Sequence, residues 1–283
     1  MPGDHNGLFR RMKAGLMSTG KAGSISWRWQ GTHRSSWIVI PAFNEARTIG
    51  SIVDACHKFA DGTIVVDDGS CDSTAEISAA HKAVVLRNPG NLGKGASLWR
   101  GMEAALARGA DRVVTLDGDG QHRPEHAVEL LACSQELPDR IVIGSRKASS
   151  TAAPRARFIA NRVADFWVSW AARHPVEDSQ SGFRVYPAEV LRALAGRPPR
   201  SKGFAFESEI LIRAGELGVR TVSVAIPTIY GKELRESHFR PVMDITRIVL
   251  LVGAKLLARG MDPLGLWQSL QDRSSASGRV NRR

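Results

Sequence analysis

Short apolar runs rich in valine and isoleucine alternate with segments of helical periodicity along the first half of the chain. Each run is closed by turn-forming residues, as strands of a buried sheet are. The runs cover residues 37–43, 62–70, 83–88, 111–120 and 140–146. Strands that alternate with helices form right-handed βαβ units around a mostly parallel sheet, so the pattern predicts an α/β fold.

The segments between these runs predict the helices that flank the sheet. They cover residues 45–59, 73–81, 93–109 and 124–137. The last one opens with Pro124, at a first-turn position where proline is tolerated. After residue 147 the pattern loosens into a helical stretch at 155–174, further helices and loops, and a final strand at 220–230. We expect this second half to extend the edge of the sheet, where an acceptor site would be built.

Basic residues are concentrated at the two ends of the chain. The net charge is +11, and the chain has 283 residues. Residues 1–36 hold six Lys and Arg against one acid, and residues 272–283 hold four against one. Eight of the eleven positive charges therefore lie in Gly/Ser-rich ends, which we expect to be flexible. Such ends suit an anionic membrane surface, RNA or no partner at all.

The cysteines and the hydropathy pattern bear on the cellular compartment. Cys56, Cys71 and Cys133 have neither metal-ligand nor redox spacing, so we expect reduced thiols in a cytoplasmic protein. No apolar run reaches the ~18 to 20 residues that span a bilayer. The chain also starts without the pattern of a signal peptide. The sequence therefore predicts a protein that is neither secreted nor transmembrane.

Acids and special turns follow three of the predicted strands. They occur at 41–45, at 67–70 and at 117–122. Because the carboxyl ends of parallel strands meet at one edge of a sheet, these motifs should converge in space. A buried carboxylate without a partner is costly, so Asp117 and Asp119 are either solvated turn residues or ligands for a positive group. Their convergence with the other motifs favours the second interpretation.

Seven motifs occur in a fixed order between about residues 36 and 259. They are VIPAFNEARTI, VVDDGSCDST, NPGNLGKGASLWRGM, TLDGDGQHRPE, GSR, DSQSGFRVY and SHFRPVMDITRIVLL. In order and spacing they resemble the family-two inverting glycosyltransferases with the GT-A fold, and within them the dolichol- or polyprenyl-phosphate mannosyl- and glucosyltransferases. The resemblance implies a Rossmann-like, mostly parallel sheet flanked by helices. It also implies transfer of a hexose from a UDP- or GDP-linked donor.

A departing diphosphate needs its charge neutralised, and a divalent metal with oxygen ligands supplies this. Asp119 and Gln121 suit the role, with Asp117 beside them for the metal, the ribose or both. In the resembling family these positions hold the metal. His122 is a weaker candidate, since hard cations prefer oxygen. The predicted cofactor is therefore Mg²⁺ or Mn²⁺, held by Asp117, Asp119 and Gln121.

The nucleotide pocket is also implied by the resemblance. Asp68 matches the acid that binds the base, although it could instead cap a helix. Phe43 stands where the family more often has tyrosine, which keeps the stacking face and removes a hydroxyl. Lys94 lies in a Gly-rich loop that leads into a helix, an arrangement suited to anions, although it could be a surface lysine. The predicted donor-binding residues are Pro41, Phe43, Glu45, Asp68, Lys94, Asp117 and Gly118.

The predicted catalytic residues are Arg146, Arg240 and Asp178. Either arginine could grip phosphate oxygens in a bidentate way, and either could instead be a solvated surface residue. Asp178 would serve a hydroxyl acceptor as general base. A phosphate acceptor is already anionic, and Asp178 would then orient it or position Arg184. The acceptor is therefore polyprenyl phosphate or, alternatively, a soluble or glycan hydroxyl.

Three other classes of function are disfavoured. A sugar nucleotidyltransferase would carry a GGxGTR-like loop after the first strand, where this chain has PAFNE. The intact acids and Arg146 argue against a binding protein without activity. A nucleic-acid binder would interleave basic and aromatic residues on its body, whereas most of the excess positive charge here lies at the ends.

Residues 242–259 predict an amphipathic helix. Its polar side chains fall within about 120° at 100° per residue, and its basic residues could reach lipid headgroups from the membrane interface. These polar residues are Asp244, Arg247, Lys255 and Arg259. The alternative is a helix packed on the core.

The predicted organisation has four parts: a basic flexible segment at 1–35, a GT-A domain at 36–235, a loop and amphipathic helix at 236–270 and a basic flexible tail at 271–283. The protein is expected in the cytoplasm, with peripheral binding to the anionic inner face of the cytoplasmic membrane.

Overall fold

A computed structural model describes residues 35–146, 155–199, 201, 203, 205–227 and 241–271. Seven strands lie in these residues: β1 (Ser36–Ala42), β2 (Gly62–Asp67), β3 (Val84–Arg87), β4 (Arg112–Thr115), β5 (Ile141–Ser145), β6 (Arg184–Pro187) and β7 (Thr221–Ala225). The predicted basic ends and Arg240 lie outside the described residues.

Nine α-helices lie in the same part of the chain. They are α1 (Ile49–Cys56), α2 (Thr74–Ala80), α3 (Lys94–Ala107), α4 (Ala127–Glu136), α5 (Arg155–Ala172), α6 (Ala188–Ala195), α7 (Ala205–Glu216), α8 (Pro241–Ala258) and α9 (Pro263–Gln271). A single 3₁₀ turn that begins at Pro124 leads into α4, so the proline stands at a helix start as predicted. The cysteines are free thiols, and Cys56 is buried.

The strands form one sheet in the order β3-β2-β1-β4-β6-β5-β7. All neighbouring strands are parallel except β6, which is antiparallel to both β4 and β5. The mostly parallel α/β sheet is therefore confirmed. The expectation that the second half only extends the sheet's edge is wrong, because β6 is inserted in its interior. Its four residues have only two apolar side chains, between an arginine and a proline, which is too short an apolar run to give a strand pattern in the sequence.

The strand order reverses beside β1, since the chain runs outward through β2 and β3 and then returns to β4 on the other side. Ligands of open α/β sheets bind at such a switch point, beyond the carboxyl ends of the strands. Being antiparallel, β6 begins at this edge, which brings the preceding loop, residues 178–183, to the ends of β4 and β5.

Helices cover both faces of the sheet, and each face has its own core. On β1, Ile38 and Ile40 belong to the core beneath α1 and α4, whereas Val39 belongs to the core beneath α3, α5, α7 and α8. Successive side chains of a strand point to opposite faces, so both sets are buried and the strand is a continuous apolar run.

Helix α8 confirms the predicted helix but not the predicted orientation of Lys255 and Arg259. Lys255 Nζ lies 3.6 Å from Glu216 Oε1 on α7, and Arg259 forms an ion pair with the same carboxylate. These two side chains therefore point to the protein and not to lipid headgroups, because Glu216 supplies a nearby opposite charge. Instead, Leu250 and Leu257, two turns apart, are 67% and 70% exposed.

Helix α9, absent from the sequence prediction, contains no charged residue and exposes large apolar side chains of its own. We use the name α8–α9 apolar face for Leu250, Leu257, Leu264, Trp267 and Leu270, all of which are exposed. Both helices pack against α5. In the part of the chain that the structure describes, no helix combines the length and apolarity needed to cross a bilayer.

Candidate active site

Three loops meet at the switch point and are tied together by hydrogen bonds. The backbone N–H of Glu45 donates to Thr74 Oγ1 at 2.8 Å, and Thr48 Oγ1 donates to Gly118 O at 2.6 Å. A Cβ at Gly118 would lie 3.4 Å from Pro41 O and 3.5 Å from Glu45 Cγ. The structure thus brings together three of the predicted donor-binding residues, and the partly buried Phe43 lies in the same loop.

Asp68 is 4% exposed and orders the loop that leads to Lys94. Its Oδ1 accepts hydrogen bonds from Asn88 Nδ2 at 2.7 Å and Leu92 N–H at 2.9 Å, and its Oδ2 accepts from Gly93 N–H at 2.8 Å. The helix-cap alternative is wrong, because the donors to Asp68 come from residues 88–93 and not from the start of α2. A carboxylate has about four lone-pair sites, so Asp68 keeps capacity for one further donor.

Lys94, the first residue of α3, forms ion pairs with two carboxylates. Its Nζ lies 2.8 Å from Asp117 Oδ1 and 3.1 Å from Glu207 Oε1. Burial opposes the charge on Lys94, but these two acids outweigh burial and raise its pKa. Burial likewise raises the pKa of Asp117, and the Lys94 charge outweighs it, so the net shift of that pKa is downward. Lys94 is 20% exposed, and the surface-lysine alternative is wrong.

Asp119, Gln121 and His122, which follow Asp117 in the chain, lie in one tight turn. Gln121 N–H donates to Asp119 Oδ1 at 3.0 Å. Burial, followed by the charge of Asp117, raises the pKa of Asp119. His122 is 4% exposed, and burial lowers its pKa to about 4. His122 is therefore neutral and buried, and the centroid of its ring lies 5.5 Å from that of Phe183. These features are typical of a packed core side chain and not of a metal ligand.

The oxygen atoms of this turn suit a hard divalent cation. The charge of Asp117 opposes ionisation of Asp119, and a cation between the two would relieve that repulsion. Among the described residues, no group of three or more His, Cys, Asp and Glu side chains is arranged to hold a metal. Mg²⁺ commonly uses one or two carboxylates and takes its other ligands from substrate phosphates and water. Asp117, Asp119 and the Gln121 amide fit that kind of site.

Arg146 and Asp178 form a bidentate pair. Arg146 Nε donates to Asp178 Oδ2 at 3.1 Å, its Nη2 donates to Oδ1 at 2.8 Å, and its backbone N–H donates to Oδ2 at 2.8 Å. Burial raises the pKa of Asp178, but the guanidinium outweighs burial and lowers it. Asp178 has φ 51°, and its backbone N–H donates to Asp165 Oδ2.

The idea that Asp178 positions Arg184 is wrong. Arg184 is fully buried, and its donors go to the backbone carbonyl groups of Ser179, Ser181 and Glu207. Arg184 therefore fixes the shape of the loop that carries Asp178, without contacting that carboxylate through any of these bonds.

Sequence reasoning missed Glu207. It lies in the first turn of α7 and is 2% exposed. The signal was present in the segment FAFESEIL, where acids interrupt an otherwise apolar helix. A buried acid in such a helix needs a positive partner, here Lys94. Arg240, the third predicted catalytic residue, lies outside the described residues.

The fold is that of a GT-A glycosyltransferase. The model of the family "Glycosyl transferase family 2" matches residues 37–180. The chain belongs to this family and is a family-two glycosyltransferase.

Similar proteins indicate the range of reactions in the family. An undecaprenyl-phosphate mannosyltransferase of Micrococcus luteus is 32% identical over 74% of this chain and 91% of its own. A UDP-N-acetylglucosamine–dolichyl-phosphate N-acetylglucosaminyltransferase of Methanococcus voltae is 29% identical over 69% of this chain and 85% of its own. Among solved structures, glucosyl-3-phosphoglycerate synthase of Mycobacterium tuberculosis, with Mn²⁺, UDP-glucose and phosphoglyceric acid, has a TM-score of 0.57 and 26% identity. The match covers 83% of this chain and 86% of that one.

Proposed function

We propose that the protein transfers a hexose from a UDP- or GDP-linked sugar to polyprenyl phosphate, with the help of Mg²⁺ or Mn²⁺. Two relatives that match most of this chain are named for transfer to prenyl phosphates. A structural neighbour holds Mn²⁺ together with a nucleotide sugar. These observations support the donor, the metal and the acceptor class.

The observation that carries the choice of acceptor is the pairing of Asp178 with Arg146. Both carboxylate oxygens accept hydrogen bonds from Arg146, and the pKa of Asp178 is lowered. A carboxylate stabilised in this way is a poor proton acceptor near neutral pH. A phosphate acceptor is already ionised and needs no base, so this geometry supports a lipid phosphate over a hydroxyl.

The residues divide the work between donor and acceptor. Pro41, Phe43, Glu45, Asp68 and Gly118 would hold the nucleoside at the switch point. Asp117, Asp119 and Gln121 would hold the divalent cation, which when bound neutralises the diphosphate as it leaves. Lys94 and Arg146 add positive charge beside that group, and Arg240 would reach it from the segment before α8.

The lipid acceptor requires access to a membrane. The α8–α9 apolar face exposes large apolar side chains, including Trp267, which is 56% exposed. Tryptophan favours the boundary between hydrocarbon and headgroups, and a shallow apolar face binds there without spanning. In this proposal a catalytic domain spans 36–235 and a membrane-contacting part spans 236–270. The protein acts in the cytoplasm at the anionic inner face of the cytoplasmic membrane.

One pair of assays tests the proposal. Calorimetric titration with UDP, GDP and their sugars, with Mn²⁺ or Mg²⁺ and then with EDTA, identifies the donor and the metal. Incubation with labelled donor and polyprenyl phosphate should move label into the organic phase. Label that enters only water-soluble products would replace this proposal with transfer to a hydroxyl acceptor, with Asp178 as the base.

A further inference from the structure

Glu207 brings a fully buried carboxylate to the candidate metal site, in addition to the half-buried Asp117 and Asp119. Its side chain is 2% exposed, and its Oε1 lies 3.1 Å from Lys94 Nζ. Its Oε2 has no hydrogen-bond partner among the described residues. Burying a carboxylate is costly unless it is paired, so this acid depends on Lys94.

Two contacts hold Glu207 in place. A Cβ at Gly95, in the first turn of α3, would lie 2.8 Å from Phe206 Cβ, so the first turns of α3 and α7 are in close contact. The backbone carbonyl of Glu207 accepts a hydrogen bond from the buried Arg184 at 2.8 Å. These contacts fix the backbone of Glu207 beside the first turn of α3, which carries Lys94.

Gly182 separates Glu207 from Asp117. A Cβ at this position would lie 2.8 Å from Asp117 Oδ2 and 2.8 Å from Glu207 Oε1. The two carboxylates thus flank the same small space, with the Lys94 ammonium 2.8 Å and 3.1 Å from them. A single positive charge is shared between two acids, of which only Asp117 is a candidate metal ligand.

This sharing creates a competition. A divalent cation that binds Asp117 must take that carboxylate from Lys94, and the two positive charges repel each other. Glu207 gives the ammonium group a second buried partner when Asp117 is occupied. Without Glu207, less negative charge would face the Lys94 ammonium once the metal takes Asp117, and Lys94 would oppose the metal more strongly.

We propose that Glu207 is a positioning residue: it retains Lys94 when the metal takes Asp117, so that the metal and the ammonium group occupy the site together. This inference rests on the proposed function, since it assumes that a divalent cation binds at Asp117. It assigns Glu207 a role in metal affinity although Glu207 is not itself a ligand.

Glu207→Gln removes the charge and preserves the shape. The nucleotide that the wild type binds is titrated by calorimetry at a series of Mn²⁺ concentrations, which gives the half-saturating Mn²⁺ concentration. We expect Glu207→Gln to raise this half-saturating concentration about tenfold. This is the lower end of the loss in metal affinity seen when a residue that supports a metal ligand is replaced. Glu216→Gln is the matched control, because it removes another carboxylate paired with a lysine, about 13 Å further along α7. It should leave the value unchanged.

A double variant separates this role from a merely structural one. Lys94→Met removes the competitor, so Lys94→Met/Glu207→Gln should bind Mn²⁺ at least as tightly as the wild type when Mn²⁺ is titrated without nucleotide, a measurement that does not depend on the donor contact of Lys94. A structural role for Glu207 would instead lower the melting temperature without such a rescue. Equal values for the wild type and Glu207→Gln would overturn this inference alone. A wild type that binds no nucleotide with Mn²⁺ would overturn the proposed function as well.

Discussion

Arg146 and Asp178 are 32 positions apart in the chain and meet through three hydrogen bonds, two of them from the guanidinium group. Arg146 follows β5, and Asp178 lies in the loop that enters the antiparallel strand β6. The pair thus joins two loops on the same edge of the sheet. It fixes a positive group beside the candidate metal site and engages the carboxylate that a hydroxyl acceptor would require as a base.

Replacing Arg146 by lysine keeps the charge but loses the bidentate geometry. We expect the donor KM to rise about tenfold, since a hydrogen bond to a charged group contributes about 1.5 to 3 kcal/mol. The metal dependence should stay the same. Steady-state kinetics measure both, with Arg108→Lys, an exposed substitution on α3's C-terminal side, as the control. An unchanged donor KM would place Arg146 outside the donor site.

Asp178→Asn distinguishes a positioning role from a general base. Loss of a general base lowers turnover by about 10² to 10⁴. We expect kcat to stay within about tenfold of the wild type and KM to rise, because Arg146 is released. A kcat loss in the range for a general base would favour the hydroxyl acceptor.

The same pair sets a pH dependence of stability. The pKa of Asp178 lies below its ordinary value of 3.8, owing to Arg146, so the folded state binds this proton more weakly than the unfolded state. Its stabilisation is present above that value and is lost as pH falls through the lower folded pKa. We expect the melting-temperature difference between wild type and Asp178→Asn to be constant at neutral pH and to shrink below about pH 4. A difference that changes between pH 6 and 8 would contradict this.

Asp119 should behave in the opposite way. Burial and the charge of Asp117 raise its pKa, so the ionised form destabilises the fold at neutral pH when no metal is bound. We expect Asp119→Asn to raise the melting temperature in EDTA. Turnover should fall at least about a hundredfold, as several kcal/mol of charge stabilisation are lost. Mn²⁺ should raise the melting temperature of the wild type and of the exposed control Asp139→Asn, but not of Asp119→Asn.

Much of the sheet could be predicted from the sequence, because β1, β2, β4 and β5 are apolar runs closed by turn residues. Strand β6 could not, since only Val185 and Tyr186 are apolar in it and they are bounded by an arginine and a proline. The candidate site shows the same division. Asp117, Lys94 and Asp178 carry local motifs. Glu207 carries none, and the pairings of Glu207 with Lys94 and of Asp178 with Arg146 join distant segments that only helix α7 and the antiparallel insertion bring together. No local pattern contains such pairings.

Gly182 offers a test of the space between the two carboxylates. Alanine would put its Cβ 2.8 Å from an oxygen of Asp117 and of Glu207, both of which form ion pairs with Lys94. We expect Gly182→Ala to lower turnover and Mn²⁺ affinity about tenfold or more, since these oxygens must move. Gly196→Ala is the control, because a Cβ there meets nothing within 4 Å and its φ of −65° suits any residue. If both variants behave like the wild type, the carboxylates are not held as closely as the structure indicates.

The α8–α9 apolar face accounts for membrane binding in the proposed reaction, so its removal should separate binding from chemistry. Leu257→Ser/Trp267→Ser replaces two exposed side chains, one from each helix, without touching the buried side of α8. Val128→Ser is the control: Val128 is 52% exposed on α4, on the opposite face of the sheet.

We expect the double variant to bind liposomes about tenfold more weakly, since burying apolar area contributes about 25 cal/mol per Å². The control should bind like the wild type. Truncation after Gln271 removes four arginines and should weaken binding to anionic but not to neutral vesicles, at about 1 kcal/mol per basic residue near the surface. The double variant should still bind donor nucleotide and Mn²⁺, because no residue of the site is changed. If it floats with liposomes as the wild type does and instead loses a dimer, the face joins two copies of this chain. The lipid acceptor would then have to reach the site by another surface.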